Sequence, residues 1–222
     1  MNLLGGSPAP QPSRDVLAPF ITKRVPLHFL SSLEDIPTCL EIQRSILSIS
    51  SDRASGPDGY NAHFFKQSWH IVGPTIIKAV KKFFINGMLL KECNAAYICL
   101  VPKSPNPSSL DDCRPISCCN VIYKGIAKLL ASKLQPTLPH VIEPTQTAFI
   151  QGRKITDTIL LAQELMRGYH SSNLAPRCAW KVDLTKAFDS VNWSFIIDTP
   201  PQVNLMDSCL HHITYIHHSH KW

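Results

Sequence analysis

The sequence lacks any long apolar run. Ala95–Val101 is among the longest, well short of the roughly 18 residues a bilayer-spanning helix needs, and this excludes a transmembrane helix. The first twenty residues lack a basic start and offer only Leu3-Leu4 as an apolar seed. That argues against a secretory signal and predicts an intracellular chain, cytoplasmic or nuclear. Among eight cysteines no pair has the Cys-x-x-Cys spacing of a zinc knuckle, and the one dense group is Cys113, Cys118 and Cys119. Without an export signal these are expected to be reduced thiols, mostly small buried hydrophobes. No period recurs, so repeat and collagen-like architectures are excluded. Acids are in deficit: 16 Asp and Glu face 22 Lys and Arg, for a net charge of +6 with ten histidines uncounted. Such a surplus suits a polyanionic partner, but it speaks to association rather than fold.

What is present can build a core. Of 222 residues 44% are hydrophobic, which rules out wholesale disorder and allows one large or two small domains at roughly 100–200 residues each. Residues 1–37 are expected to be a poorly ordered Pro-rich segment, because Pro8, Pro10, Pro12, Pro19 and Pro26 each remove a backbone donor. From Cys39 the pattern turns helical: Cys39, Ile42, Ile46 and Ile49 share a face, and Thr38 is available as N-cap. Ser55-Gly-Pro-Asp-Gly59 marks a sharp loop. A second helix is predicted over Ala62–Trp69. A third is predicted to start at Pro74, turn Ile76, Ile77, Val80, Phe83 and Phe84 inward, and stop near Gly87.

Ala95–Val101 reads as a strand, and Arg114–Cys119 as its partner across a long loop. Asn120 is then the expected cap of a helix with Ile122, Ile126, Leu129 and Leu130 inward and Lys124 and Lys128 outward, closed by Pro136. A helix is predicted over Asp157–Tyr169 with Ile159, Ala162 and Met166 on one side, a strand over Cys178–Leu184, and a short helix over Ser190–Ile197. Residues 198–222 form a His-rich, weakly periodic tail. The layout is α+β, helix-rich with short antiparallel strands, and not βαβ alternation.

The sharpest chemical feature is Lys181-Val-Asp-Leu-Thr-Lys-Ala-Phe-Asp-Ser-Val-Asn-Trp193. Aspartate is depleted in strands, so Asp183 at a strand end needs a reason. One reason is magnesium ligation, since a hard cation takes carboxylate and carbonyl oxygens and Leu184 offers the next carbonyl. The plainer reading is an Asp that caps the following turn. Asp189 reads most simply as the N-cap of Ser190–Ile197, and Phe188 as core packing or as a wall beneath a bound sugar.

The whole segment resembles the first catalytic motif of reverse transcriptases from non-LTR (LINE-type) retrotransposons. Ser55-Gly-Pro-Asp-Gly59 resembles the family's N-terminal loop, and Leu100-Val-Pro-Lys103 its first fingers strand. Asp112-Cys-Arg-Pro-Ile-Ser-Cys-Cys-Asn-Val-Ile-Tyr-Lys124 resembles the second fingers motif. Gln146-Thr-Ala-Phe-Ile-Gln-Gly-Arg153 with Ile155-Thr-Asp157 resembles the next block. Five blocks stand in the family's order between about residues 37 and 195. The resemblance implies an RNA-directed DNA polymerase with a right-hand fold, of which residues 38–197 supply the fingers and an incomplete palm. It implies that Asp183 binds catalytic Mg2+ with help from the Leu184 carbonyl, and that Phe188 is the steric gate against a 2′-hydroxyl. Lys103 and Arg114 would hold the incoming triphosphate, for which a guanidinium fork is well suited. The implied partners are an RNA template, a DNA primer and deoxynucleoside triphosphates, with no membrane. Two metals would activate the primer hydroxyl and stabilise the departing pyrophosphate. The plainer readings are an ion pair of Arg114 with Asp111 or Asp112, and a solvated Lys103.

The family's tight hairpin carrying Tyr- or Phe-Ala-Asp-Asp is missing from these 222 residues. No Asp-Asp follows Asp183, and beyond Asp189 the acids are Asp198 and Asp207. One carboxylate and one carbonyl do not hold two magnesium ions against water, so this stretch alone is expected not to polymerise DNA and to be a truncated or decayed piece of a retrotransposon reading frame. The alternative from another class is a non-catalytic nucleic-acid-binding remnant using Lys78, Lys81, Lys82, Lys124, Lys128, Lys133, Arg153 and Lys154 on phosphates. A metal-binding tail built on Cys209, His211, His212, His217, His218 and His220 is a third reading, against which stands the lack of finger spacing.

Overall fold

A computed structural model describes residues 23–169 together with Cys178, Trp180 and Val182. Most of the expected strand over Cys178–Leu184, the helix over Ser190–Ile197, the His-rich tail and the candidates Asp183, Leu184 and Phe188 lie outside the described residues. The chain divides into two compact units, one holding the described residues 31–134 and the other residues 23–30 with 135–169. In chain order the elements are α1 (Leu27–Glu34), α2 (Cys39–Leu47), α3 (Ala62–Gln67), α4 (Trp69–Asn86), β1 (Ala96–Pro102), β2 (Cys113–Cys119), α5 (Val121–Leu134), α6 (Leu138–Val141) and α7 (Ile155–Met166). The helix-rich α+β reading holds, and β1 and β2 form an antiparallel two-stranded sheet.

α1 overturns part of the reading of residues 1–37. Pro26 precedes the helix instead of breaking it: its carbonyl accepts the Phe29 N–H at 3.0 Å, and Leu33 is buried. Proline is tolerated at a helix start, where its missing donor has no partner to lose.

The 31–134 unit is built on the predicted stripes. In α2, Thr38 and Glu41 form a reciprocal capping box, and Ile42 and Ile46 are fully buried while Cys39 is exposed. α3 stops at Gln67 because Ser68 caps it, its N–H and Oγ both donating to the Phe64 carbonyl at 2.9 and 2.7 Å. The Ser68 carbonyl in turn accepts from Ile71 and Val72 and starts α4 at Trp69, five residues before the expected Pro74. Pro74 therefore sits inside the helix, where it forfeits a hydrogen bond to the exposed His70 turn. Ile76, Val80 and Phe83 of α4 enter the core, with Ile77 and Phe84 against its margin, and the helix ends at Gly87. α5 adds Val121, Ile126, Leu129 and Leu130. The α2–α5 contact is close: Ser45 Oγ, buried, donates to the Gly125 carbonyl at 2.8 Å. Lys128 crosses the same contact to Ser48 Oγ at 2.7 Å.

In the other unit, Phe29 and His140 rings stand 5.1 Å apart and Lys23 pairs with Glu143 at 2.9 Å. Arg153 donates to the carbonyls of Ile142, Glu143 and Gln146, holding the turns that precede α7. α7 runs from Ile155, two residues ahead of the expected start, and ends at Met166. The side that carries Ile159, Ala162 and Met166 is exposed: none of the helix's residues is buried, and Ile159 and Met166 are 51% and 44% exposed. The cysteines also differ from expectation. Cys39, Cys99 and Cys178 are exposed, and Cys93, Cys113, Cys118 and Cys119 are half-buried, so no described cysteine is a core residue.

Candidate functional site

The β1–β2 hairpin sets the geometry of the candidate cations. Its register pairs Ala96 with Cys119, Leu100 with Pro115, Val101 with Arg114 and Pro102 with Cys113. Side chains alternate between faces along a strand, and directly paired residues share a face. Arg114, opposite Val101, and Lys103, two residues beyond Val101, therefore belong to the same face at the loop end of the ribbon. The Lys103 N–H extends the ladder to the Asp112 carbonyl at 2.7 Å.

The two cations differ in how far they are engaged. Lys103 Nζ donates to the Asp111 carbonyl at 2.6 Å, closing the long loop on itself, so it is not simply solvated. Arg114 is exposed, and among the described residues its guanidinium has no hydrogen-bond or ion-pair partner. The expected alternative pairing with Asp112 does not form, because that carboxylate is committed to the loop. Oδ2 accepts the N–H groups of Ser108 and Ser109 at 2.9 and 3.0 Å and both hydroxyls at 3.0 and 3.3 Å. These donors, the Ser108 N–H foremost, hold its carboxyl below the usual range. The arrangement presents one unneutralised guanidinium at the root of an exposed loop, the feature a phosphate oxygen would meet.

Behind the hairpin, Asn120 takes a role the residues did not suggest. It stands at the expected N-cap position of α5, its carbonyl accepting the Lys124 N–H at 3.0 Å, but its buried side chain bonds elsewhere. Oδ1 accepts the Asp58 N–H at 3.2 Å, and Nδ2 donates to the carbonyls of Glu92 at 2.8 Å and Cys93 at 3.4 Å. It thus fastens the Ser55–Gly59 loop and the segment before β1 to the end of β2. The loop is shaped to fit. A Cβ on Gly56 would lie 2.1 Å from Asn120 Oδ1 and 2.4 Å from its backbone nitrogen, a space only glycine leaves open. The Gly59 N–H donates to the Gly56 carbonyl at 3.0 Å, and Gly59 has a φ of 77°, a left-handed conformation glycine adopts without strain. Asp58 Oδ1 accepts the Tyr60 N–H, and Lys124 Nζ reaches the Ala54 carbonyl at 2.8 Å. The signal for this lock was legible only as two separate motifs, a loop and a strand-to-helix junction 62 residues apart. Nothing local says that they meet.

Burial tunes the groups behind this lock. The Tyr123 phenol is pushed up to about 12 by burial, with Cys119 adding to it. Burial also raises the Cys119 and Cys93 thiols, the latter helped by Asp58 and Glu92. All three groups are neutral near pH 7 and suited to packing.

Of the eight cations proposed for phosphate contacts, four are used inside the fold. Lys124 and Arg153 hold carbonyls as described, Lys128 holds Ser48, and Lys133 Nζ donates to the Ser32 and Asp35 carbonyls at 2.8 and 2.6 Å. Among the described residues no group of three or more His, Cys, Asp or Glu side chains is placed to hold a metal ion. No described helix is long and apolar enough to cross a membrane.

Comparison with known proteins gives this chain a family. The sequence model of a family described as reverse transcriptase (RNA-dependent DNA polymerase) matches residues 101–220, which takes in β1 from Val101, the whole of β2 and the Asp183 motif. The chain is 29% identical over 167 residues to the uncharacterized 149 kDa protein of transposon TX1 from Xenopus laevis, covering 75% of this chain and 13% of that protein. It is 24% identical over 172 residues to the retrovirus-related Pol polyprotein from type-2 retrotransposable element R2DM of Drosophila melanogaster, covering 78% of this chain and 16% of that protein. The chain thus spans only about a sixth or less of either relative's length. With a family match over more than half of its residues and relatives of this kind, the chain belongs to the reverse transcriptases, in the branch found in non-LTR retrotransposons.

Proposed function

We propose that residues 38–197 form the fingers and the first part of the palm of a right-hand, RNA-directed DNA polymerase, with the Pro-rich residues 1–37 before it and residues 198–222 as a degenerate tail. The observation that carries this reading is the Arg114 guanidinium, without a partner among the described residues and on the same hairpin face as Lys103, within the family match. In this role Arg114 grips the triphosphate of an incoming deoxynucleotide with its planar fork, and Lys103 adds a point charge while closing the loop. Phe188 stands as the steric gate, its ring filling the space of a ribonucleotide's 2′-hydroxyl. The implied nucleic acids are an RNA template and a DNA primer.

Asp183 and the Leu184 carbonyl are oxygen donors of the hard type that Mg2+ takes. They are too few for the paired ions of nucleotidyl transfer, which need several carboxylates, and these 222 residues hold no adjacent Asp-Asp after Asp183. The 222-residue chain by itself therefore binds nucleotide without extending a primer.

Two measurements on the full chain test this. Titration with a fluorescent deoxynucleoside triphosphate should give binding that Arg114→Ala weakens about 10-fold or more, the value of a charge-assisted contact of roughly 1.5–3 kcal/mol. Primer extension on an RNA template with magnesium should give no product. Unchanged nucleotide affinity in Arg114→Ala removes the phosphate role, and incorporation that Asp183→Ala abolishes overturns the inactivity. Salt-steep RNA binding without nucleotide binding would instead favour the non-catalytic remnant. The four cations already engaged within the fold weaken that second reading.

A further inference from the structure

We propose that Cys99 and Cys118 form a modification site: a dithiol pair that a small disulfide oxidant such as oxidised glutathione converts to a cross-strand disulfide. This inference does not depend on the polymerase reading. The two Sγ atoms stand 3.7 Å apart. The register places Cys118 opposite Tyr97 and Cys99 opposite Ile116, so the thiols are diagonal neighbours on one face of the ribbon. That face also holds Arg114 and Lys103. Cys99 is exposed and Cys118 half-buried, so an oxidant in solution reaches the pair.

Strand alternation makes the pairing selective. Cys113 and Cys119 belong to the opposite face of β2, and Cys93 precedes the hairpin, so none of them is set against Cys99 in this way. Adjacent Cys118 and Cys119 point to opposite sides. Bond formation requires the sulfurs to close from 3.7 Å to about 2.05 Å, and because diagonal partners stand about 7–8 Å apart, wider than a relaxed disulfide spans, the two strands must shift locally as the bond forms.

One protein thiolate attacks oxidised glutathione, forming a mixed disulfide and releasing one glutathione thiolate. The second protein thiolate attacks the protein sulfur of that mixed disulfide and releases the other. The two protons lost by the cysteines end on the two glutathione thiols, the protein pair is oxidised and glutathione is reduced. The product ties residue 99 to residue 118 and closes a covalent ring around the loop between Lys103 and Asp112.

The test incubates the full chain with oxidised glutathione and maps its disulfides by digestion and tandem mass spectrometry. The expected result is a Cys99–Cys118 cross-link, the loss of two of the eight titratable thiols, and recovery of both on reduction with dithiothreitol. Cys99→Ser and Cys118→Ser should each leave the remaining thiol as a stable glutathione adduct instead of a cross-link. Separate glutathione adducts on both cysteines of the unaltered chain, or cross-links that run mainly to Cys93, Cys113 or Cys119, overturn the proposal. The map of the unaltered chain decides the matter even where a serine variant fails to fold.

Discussion

In the 31–134 unit the helices α2, α3, α4 and α5 each turn apolar residues into a shared core, where Phe83, Ile42 and Ile126 are fully buried. In the other unit α7 carries Ile155, Ile159, Leu160, Leu161, Leu165 and Met166, and all of them are exposed. The two regions have comparable apolar content and helical periodicity. What separates them, among the described residues, is whether other elements meet the stripe. Three close crossings meet α2 or α5: Ser45 to Gly125, Lys128 to Ser48, and Lys133 to Ser32 and Asp35. Periodicity creates a face that can pack, and only neighbouring elements turn that face into stability.

The largest effect is expected where the core is deepest. Phe83→Ala should cost about 3–5 kcal/mol in urea unfolding followed by ellipticity, as for other fully buried aromatics. Leu160→Ala on α7 should change the same midpoint by less than about 0.5 kcal/mol. Equal losses would show that α7 is as well packed as α4, and would erase the contrast.

Within the better-packed unit, the lock between the Gly56–Gly59 turn and Asn120 is the next test. Gly56→Ala should cost about 1–3 kcal/mol, because the new methyl meets the Asn120 side chain and backbone. Asn120→Ala should cost a similar amount, by leaving the Asp58 N–H and the Glu92 carbonyl without a buried partner. The double variant should cost clearly less than the two single losses added together, since either change opens the same contact. Strict additivity would show that the loop is held elsewhere.

The smallest effect concerns the start of α2. Glu41 Oε2 accepts the Thr38 N–H and hydroxyl, each at 2.7 Å, and these contacts, the backbone one first, hold the carboxyl below its ordinary value. A depressed carboxyl contributes stability that is present above the unfolded pKa of about 4.3 and is lost as pH falls through the folded value. Thr38→Ala removes the hydroxyl contacts and keeps the backbone one, so in a urea series it should cost about 1 kcal/mol near pH 7 through loss of the cap, with the gap to the unaltered chain narrowing below about pH 4 only by the hydroxyl's share of the carboxyl contact. A gap that stays constant into acid would assign the effect to the hydroxyl cap alone.

Much of the fold was legible because its signals are local. The Thr38 cap with Glu41 three residues on, the Ile42 and Ile46 spacing, the Val80 and Phe83 stripe and the stop at Gly87 all act within one or two turns of chain. The hairpin was legible to within a residue at each end. The misreadings have a common cause as well. Pro74 looked like a first helical residue because proline favours that position, but Ser68 supplied an earlier start. Asn120 does stand at the N-cap position, its carbonyl accepting the Lys124 N–H, but its side-chain amide is recruited by chain segments 28 and 62 residues away. Arg114 had two acids nearby in sequence, yet Asp112 was claimed by two serines.

The sequence by itself determined the family, through five motif blocks in order, and the helical and extended segments whose periodicity and caps act over a few residues. Only the tertiary structure decided which cations remain available, which apolar stripe becomes core, and that the Ser55–Gly59 loop and Asn120 hold each other. The physical reason is range. Torsional preferences and caps operate between neighbours in the chain, whereas a buried amide or a guanidinium takes its partners from whatever the packing brings within about 3 Å.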